Sequence, residues 1–253
     1  MDNNSGYFSI KDEEWLTNQR IAGKILSDAF TEVKKYIQEG ITTNQLNRIV
    51  EDYILDNKGI PTFKGYLGFP ATSCMSVNKI IVHGIPNDIP LQFGDVLKVD
   101  AGVTIDGTIA DAAFSIIIGE NKKYQLLLDT CEKALSKAID YIKTAKEPRL
   151  GHVGYIVEKE AKNIGANVIP DLTGHGLELN SPHFFPIIYN YGKANSGIRI
   201  IPGMTFCIEP IYVYGSSNIK VLDDNWSIQA LDIGVHFEHT LFISKNNVEI
   251  ITR

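Results

Sequence analysis

The order of apolar periodicities predicts an α+β fold, with helices covering the outer face of a mostly antiparallel sheet. Three observations carry the prediction. Helical spacing in the first sixty residues gives way to sequence rich in glycine, proline and β-branched residues, and the same order repeats in the second half. Strands and helices do not alternate one for one, as a doubly wound parallel sheet requires. Asp106-Gly107 interrupts two apolar β-branched runs, a strong signal for a hairpin turn.

Taken in order, residues 1–10 read as a short polar tail. Trp15, Ile21, Ile25, Ala29, Val33 and Ile37 recur at helical spacing and predict a helix over 11–39, ended by Gly40. Thr42 and Gln45 have the spacing of a capping box and open a second helix, stopped near Lys58 by Gly59 and Pro61. Residues 60–118 read as loop and strand. Further helices are predicted over 121–145 and 152–164, and strand-like pieces return at 204–214, 226–230, 234–243 and 247–251. No repeat, low-complexity tract or long linker divides the chain, so 1–253 is expected to form a single domain.

The 253 residues are 44% hydrophobic and 21% charged, with a net charge of −6, and the lysines and arginines are scattered. That balance argues against a primary nucleic-acid or membrane-surface binder. Cys74, Cys131 and Cys207 show no CxxC spacing and cannot all pair, which favours a reduced, cytoplasmic setting. The N-terminal MDNNSGYFSIKDEEW lacks the basic-then-apolar order of a secretory signal. No apolar run approaches the roughly 18 residues of a membrane span.

The chemistry concentrates in carboxylates set in apolar sequence. In KVDAGVTIDGTIAD, Asp100 and Asp111 flank the hairpin turn. A loop of even length places them on one face; a three-residue loop separates them. Two carboxylates on one buried face raise each other's pKa unless a cation lies between them. His175 lies between two glycines in TGHGLEL, Glu209 in the apolar PGMTFCIEPIY, and Glu238 in GVHFEHTLFI with His236 and Thr240 on its own face. Singly, each has a plain structural explanation, such as a solvated strand face or a core histidine bonded to backbone. Together, four carboxylates and one imidazole match two divalent cations in formal charge.

SVNKIIVHGIP, the interval from Asp100 to Asp111, GHG, PGMTFCIEP and FEHTLFI occur in that order, and across nearly its whole length the chain resembles the type I methionine aminopeptidases. Their pita-bread fold is shared with prolidases and aminopeptidase P. The resemblance implies a pseudo-symmetric sheet with metals between its halves, and removal of N-terminal methionine by hydrolysis of the first peptide bond assisted by two metal ions, with a small second residue preferred. Carried over, Asp100 chelates one ion, His175 and Glu209 the other, and Asp111 and Glu238 bridge. His83 lies near the leaving or N-terminal part of the substrate, His183 helps hold the scissile carbonyl, and Glu209 is the candidate for shuttling a proton to the leaving amine. Phe63, Tyr66, Phe69, Cys74 and Trp226 form the methionine pocket. Four oxygen-donor side chains and one nitrogen suit two divalent ions of cobalt, manganese, iron or zinc, without selecting among them. The implied partners are the N-termini of nascent chains or Met-X peptides, with at most transient contact with the ribosome and no nucleic acid or membrane. The chain is expected to act as a monomer in the cytoplasm.

The chain departs from the type I pattern in three places. His183 lies eight residues after His175 where seven is usual, Pro182 replaces a frequent phenylalanine, and His236 stands where glutamine is common. The rival readings are an X-Pro aminopeptidase or prolidase on the same fold, a metal-free binding protein of that fold, and, least supported, a two-metal phosphatase or nuclease.

Overall fold

Asp106 and Gly107 both take positive φ, 47° and 78°, as a two-residue hairpin turn between right-twisting strands requires. The computed structural model containing this hairpin describes residues 9–253. In chain order its helices are α1 (Glu13–Lys34), α2 (Thr43–Asp56), α3 (Lys122–Thr144) and α4 (Leu150–Asn163). The strands begin with β1 (Ile60–Pro61), β2 (Ser73–Val77), β3 (Ile80–Val82), β4 (Val96–Ile105), β5 (Thr108–Ile117), β6 (Ala166–Val168), β7 (Thr173–Glu178) and β8 (Ser181–Tyr189). They continue with β9 (Thr205–Ile208), β10 (Ile211–Tyr214), β11 (Ile219–Val221), β12 (Ile228–Ala230), β13 (Gly234–His236), β14 (Glu238–Ile243) and β15 (Val248–Ile250).

The main sheet runs β1-β4-β5-β14-β9-β7-β8, with β2 also on β4 and β15 on β14; β13-β10-β6 and β11-β12-β3 form two small sheets. Every strand pairing among the described residues is antiparallel. Helix α1 packs on α2 and covers β4 and β5, while α3 packs on α4, which reaches β6 and β8. Two helix pairs thus back two parts of one antiparallel sheet, the α+β pita-bread arrangement. Leu16, Leu26 and Val33 of α1 join Val99, Val103 and Ile109 of the hairpin in one buried cluster.

The caps explain where helices begin. The Asp12 side chain accepts from the Trp15 amide at 2.9 Å, and Glu13 and Glu14 occupy the first turn of α1, where negative charge suits the helix dipole. At α2 the Thr42–Gln45 capping box is present in both directions. The first helix is shorter than its predicted 11–39. It ends at Lys34, and Ile37 packs against the core from the following loop, where the Gly40 amide is tied to the Leu91 carbonyl at 2.8 Å. Ile21 is 46% exposed, because the buried stripe follows Leu16, Ala22, Leu26, Ala29 and Val33 instead. Strands β6, β7 and β8 were not in the sequence reading; glycines in TGHGLE and prolines in SPHFFPIIY mask their strand character. Of the predicted polar tail, residues 1–8 lie outside the described residues, and Ser9 and Ile10 are exposed. All three cysteines are free and buried. Among the described residues no helix is long and apolar enough to cross a membrane.

Candidate metal centre and active-site pocket

The turn length settles the geometry of the first two carboxylates. Asp100 pairs with Ala113 and Gly102 with Asp111, so the aspartates are diagonal neighbours on one sheet face. Thr240 fixes Asp111 from the adjacent strand, its hydroxyl donating to the Asp111 carbonyl at 2.7 Å and accepting from the Asp111 amide at 2.8 Å. Cys207 faces Thr240 across β9 and β14, and the same register brings Glu209 beside Glu238. Asn190 donates to the Glu209 carbonyl at 2.9 Å.

His175 reaches this cluster because its flanking residues have no side chains. A Cβ at Gly174 would lie 2.3 Å from the Cys207 carbonyl oxygen, and one at Gly176 would lie 2.1 Å from that of Phe185. Only glycines let β7 lie so close to β8 and β9. The His175 Nδ1 is 3.2 Å from the Gly176 carbonyl, which leaves Nε2 facing the carboxylates. That Nε2 is 3.5 Å from Glu209 Oε1 and 3.7 Å from Glu238 Oε1. Ligand atoms of Asp111, His175, Cys207 and Glu238 all lie within 4.8 Å of one another.

Buried polar atoms normally find partners. Here Asp100 Oδ1, Asp111 Oδ1, Glu238 Oε1 and both ring nitrogens of His236 have none. Burial pushes Asp100 up to about 7, with His236 pulling it down and Glu209 adding to the rise. Burial lifts Glu209 to about 8. Asp111 and Glu238 rise well above the carboxylate range, first by burial and then by the other carboxylates nearby. Burial holds His175 down at about 3, and His83 and His236 at about 4. Neutral imidazoles and crowded carboxylates lacking a counter-charge are a donor set that fits divalent cations.

Above the carboxylates lies a cavity of about 310 Å³. Its wall includes Asp100, Asp111, His175, Glu209, Glu238, His83, His183, Phe63, Tyr66, Phe69, Cys74 and Trp226, all twelve residues singled out from the sequence. Phe63, Phe69, Ala71 and Cys74 form a hydrophobic cluster of their own, closed by Trp226 edge-on to Phe69 with ring centroids 5.1 Å apart. His183 stands at the solvent side between Tyr66 and His175, at ring distances of 5.9 and 4.5 Å. His83 holds a left-handed backbone, φ 56°, which costs a non-glycine residue about 1 kcal/mol. A larger cleft of about 790 Å³ opens between α1 and α3 and shares only Glu238 with this wall.

Sequence reading missed other lining residues: Leu67, Val82, Asp171, Leu172, Thr173 and Ile211. Period-2 alternation carried a usable signal for some of them, since Thr173 and Ile211 lie two residues from His175 and Glu209. The same alternation points to Cys207. Lys98 was also missed. It shares a face with Asp100 yet is fully buried, its ammonium donating to the Asn78 carbonyl at 2.7 Å.

A pita-bread sheet lined with buried carboxylates and neutral imidazoles defines a fold and site suited to divalent-metal chemistry. The chain belongs to metallopeptidase family M24, whose family model matches residues 17–245. It is 38% identical over 249 residues to a methionine aminopeptidase of Mycoplasma capricolum subsp. capricolum, covering 97% of this chain and 98% of that one. The crystal structure of methionine aminopeptidase from Thermotoga maritima matches with a TM-score of 0.92 and 34% identity, over 97% of this chain and 99% of the other. A prolidase from Pyrococcus furiosus matches with a TM-score of 0.75 at 22% identity, over 96% of this chain and 65% of the other, and so shares the fold.

Proposed function

We propose that the protein is a methionine aminopeptidase that removes the first residue from peptides and nascent chains, preferring a small second residue, and that residues 1–253 act as one catalytic domain. The observation that carries this reading is the meeting of five donor side chains with an aromatic and thiol-lined cavity, in a chain that aligns end to end with methionine aminopeptidases. The cavity lies near the small end of ligand pockets, roughly 300–1,000 Å³, which favours one side chain at a chain end over an internal segment. Aromatic rings and the Cys74 thiol suit a thioether, since sulfur–aromatic contacts contribute about 0.3–1.5 kcal/mol.

In this reading Asp100, Asp111, His175, Glu209 and Glu238 would together hold two divalent ions. Such ions supply Lewis acidity, polarising a carbonyl and making water a nucleophile near neutral pH. The chain's own groups do the rest. His183, at the solvent side, donates a hydrogen bond to the oxygen of the scissile carbonyl, where negative charge develops. Glu209 takes a proton from the attacking water and returns it to the leaving amine. His83, neutral through burial, positions the first residue beside Trp226. Trp226, edge-on to Phe69 in the cavity wall, flanks the side chain of the first residue.

Hydrolysis of Met-Ala-Ser and Ala-Pro-Gly by protein loaded with a defined divalent ion tests the proposal. Faster release of methionine from the first is expected. Faster release of alanine from the second favours an X-Pro aminopeptidase on this fold.

A further inference from the structure

Beside the five donors stands a sixth buried group that the hydrolytic scheme does not use. His236 is 2% exposed, lines the same cavity, and neither ring nitrogen has a hydrogen-bond partner among the described residues. An orphaned buried polar atom costs about 1–3 kcal/mol, so two on one ring call for a ligand. The position is rigid: the Ser115 hydroxyl donates to the His236 carbonyl at 2.7 Å and accepts from its amide at 2.8 Å. The ring is therefore aimed by β5 and held at the edge of the carboxylate cluster.

Its placement mirrors that of His175. His175 Nε2 faces the Oε1 atoms of Glu209 and Glu238, at 3.5 and 3.7 Å. His236 Nε2 faces the opposite oxygens of the same two residues, Glu209 Oε2 at 3.3 Å and Glu238 Oε2 at 3.9 Å. The two imidazoles thus approach different oxygens of the same two glutamates. Donor atoms about 2.1 Å from one ion lie roughly 3.0–3.6 Å apart at octahedral to trigonal angles, so His236 stands near the spacing of a co-ligand. Orphaned oxygens of Asp100, Asp111 and Glu238 share its cavity.

We infer that His236 is a sixth protein ligand of the ion pair, adding a second imidazole to that of His175. The inference rests on the dinuclear reading above and extends it. The ring coordinates through Nε2 as a neutral imidazole with its proton on Nδ1, so no proton is gained or lost. A second imidazole in the donor set shifts preference from oxygen-seeking manganese and magnesium toward cobalt, iron and zinc.

Cobalt(II) supplies the test, in the full-length protein and in His236→Gln, a variant that keeps a polar side chain of similar reach. Imidazole N–H protons on cobalt-bound histidines give exchangeable, far-shifted proton NMR signals that can be counted. Wild type is expected to show two at two equivalents of cobalt, and the variant one. Chelator competition is expected to show a 10- to 100-fold weaker affinity for one of the variant's two ions, with a smaller change for manganese. One shifted signal in wild type with two ions bound overturns the inference and leaves the dinuclear reading standing. Failure of wild type to bind cobalt overturns both. Two signals in both proteins assign the second imidazole to another histidine and overturn it as well.

Discussion

Removing the metal makes the stability of this protein fall with pH in a window where the metal-loaded form is protected. Asp111 and Glu238 hold their protons far above the carboxylate range, and burial lifts Glu209 from 4.5 to about 8. A carboxyl whose folded pKa is raised favours the folded state at low pH, and that advantage is lost as pH rises through the folded value. The buried histidines act in the opposite sense, but only below their unfolded value of about 6.5. Between pH 6.5 and 8 the carboxylates therefore dominate. Each group still protonated in the fold costs about 1.36 kcal/mol per pH unit, so Glu209 alone gives about 2 kcal/mol. Asp111 and Glu238 add in the same direction. In a chain of this size 2 kcal/mol is roughly 4–8 °C in Tm. Lys98, its amine held below the lysine range by burial, works the other way in both forms. The readout is therefore the gap in Tm between metal-loaded and chelator-treated protein, measured by scanning calorimetry at pH 6.5 and pH 8. The gap is expected to widen by at least about 4 °C. A constant or narrowing gap refutes the reasoning that these carboxylates are crowded and uncompensated without metal.

Further outcomes follow from the same geometry. Asp111→Asn replaces a carboxyl that the metal-free fold must keep protonated while the unfolded chain ionises it, so the chelated variant should melt higher than chelated wild type at pH 8, while metal content falls and activity drops about 100-fold; unchanged metal content counts against Asp111 as a shared ligand. Trp226→Ala opens the cavity wall and removes the partner of Phe69, raising KM for Met-Ala-Ser up to about tenfold, with kcat less affected. Thr42→Ala breaks the capping box of α2 and should lower stability by about 1 kcal/mol, read as a denaturant midpoint shift with unchanged activity.

The hairpin turn was legible from Asp106-Gly107, but the face was not: loop length left the placement of Asp100 and Asp111 open, and the two-residue turn that pairs Gly102 with Asp111 decides it. Thr42 and Gln45 were legible for a similar reason, since a capping box is a local device. The end of α1 was not, because a loop contact to Leu91, distant in sequence, rather than helix propensity, decides where the chain turns. Strand β7 was hidden by Gly174 and Gly176, which are poor strand formers in isolation and are required there by the close approach of β8 and β9. Lys98 escaped notice because a buried ammonium reads as a surface residue until its neighbours are known; Cys207, near the site in sequence, was set aside because no Cys–His pattern marks it as a reactive thiol. The separation of His236 from the ordinary core histidines depended on two orphaned nitrogens, which no spacing rule reveals.

The most direct measurement is anomalous X-ray scattering from crystals grown with manganese or cobalt. Two peaks inside the cavity, the pair caged by Asp100, Asp111, His175, Glu209 and Glu238, are the expected result. Metal bound elsewhere, or no peak within reach of those side chains, contradicts it.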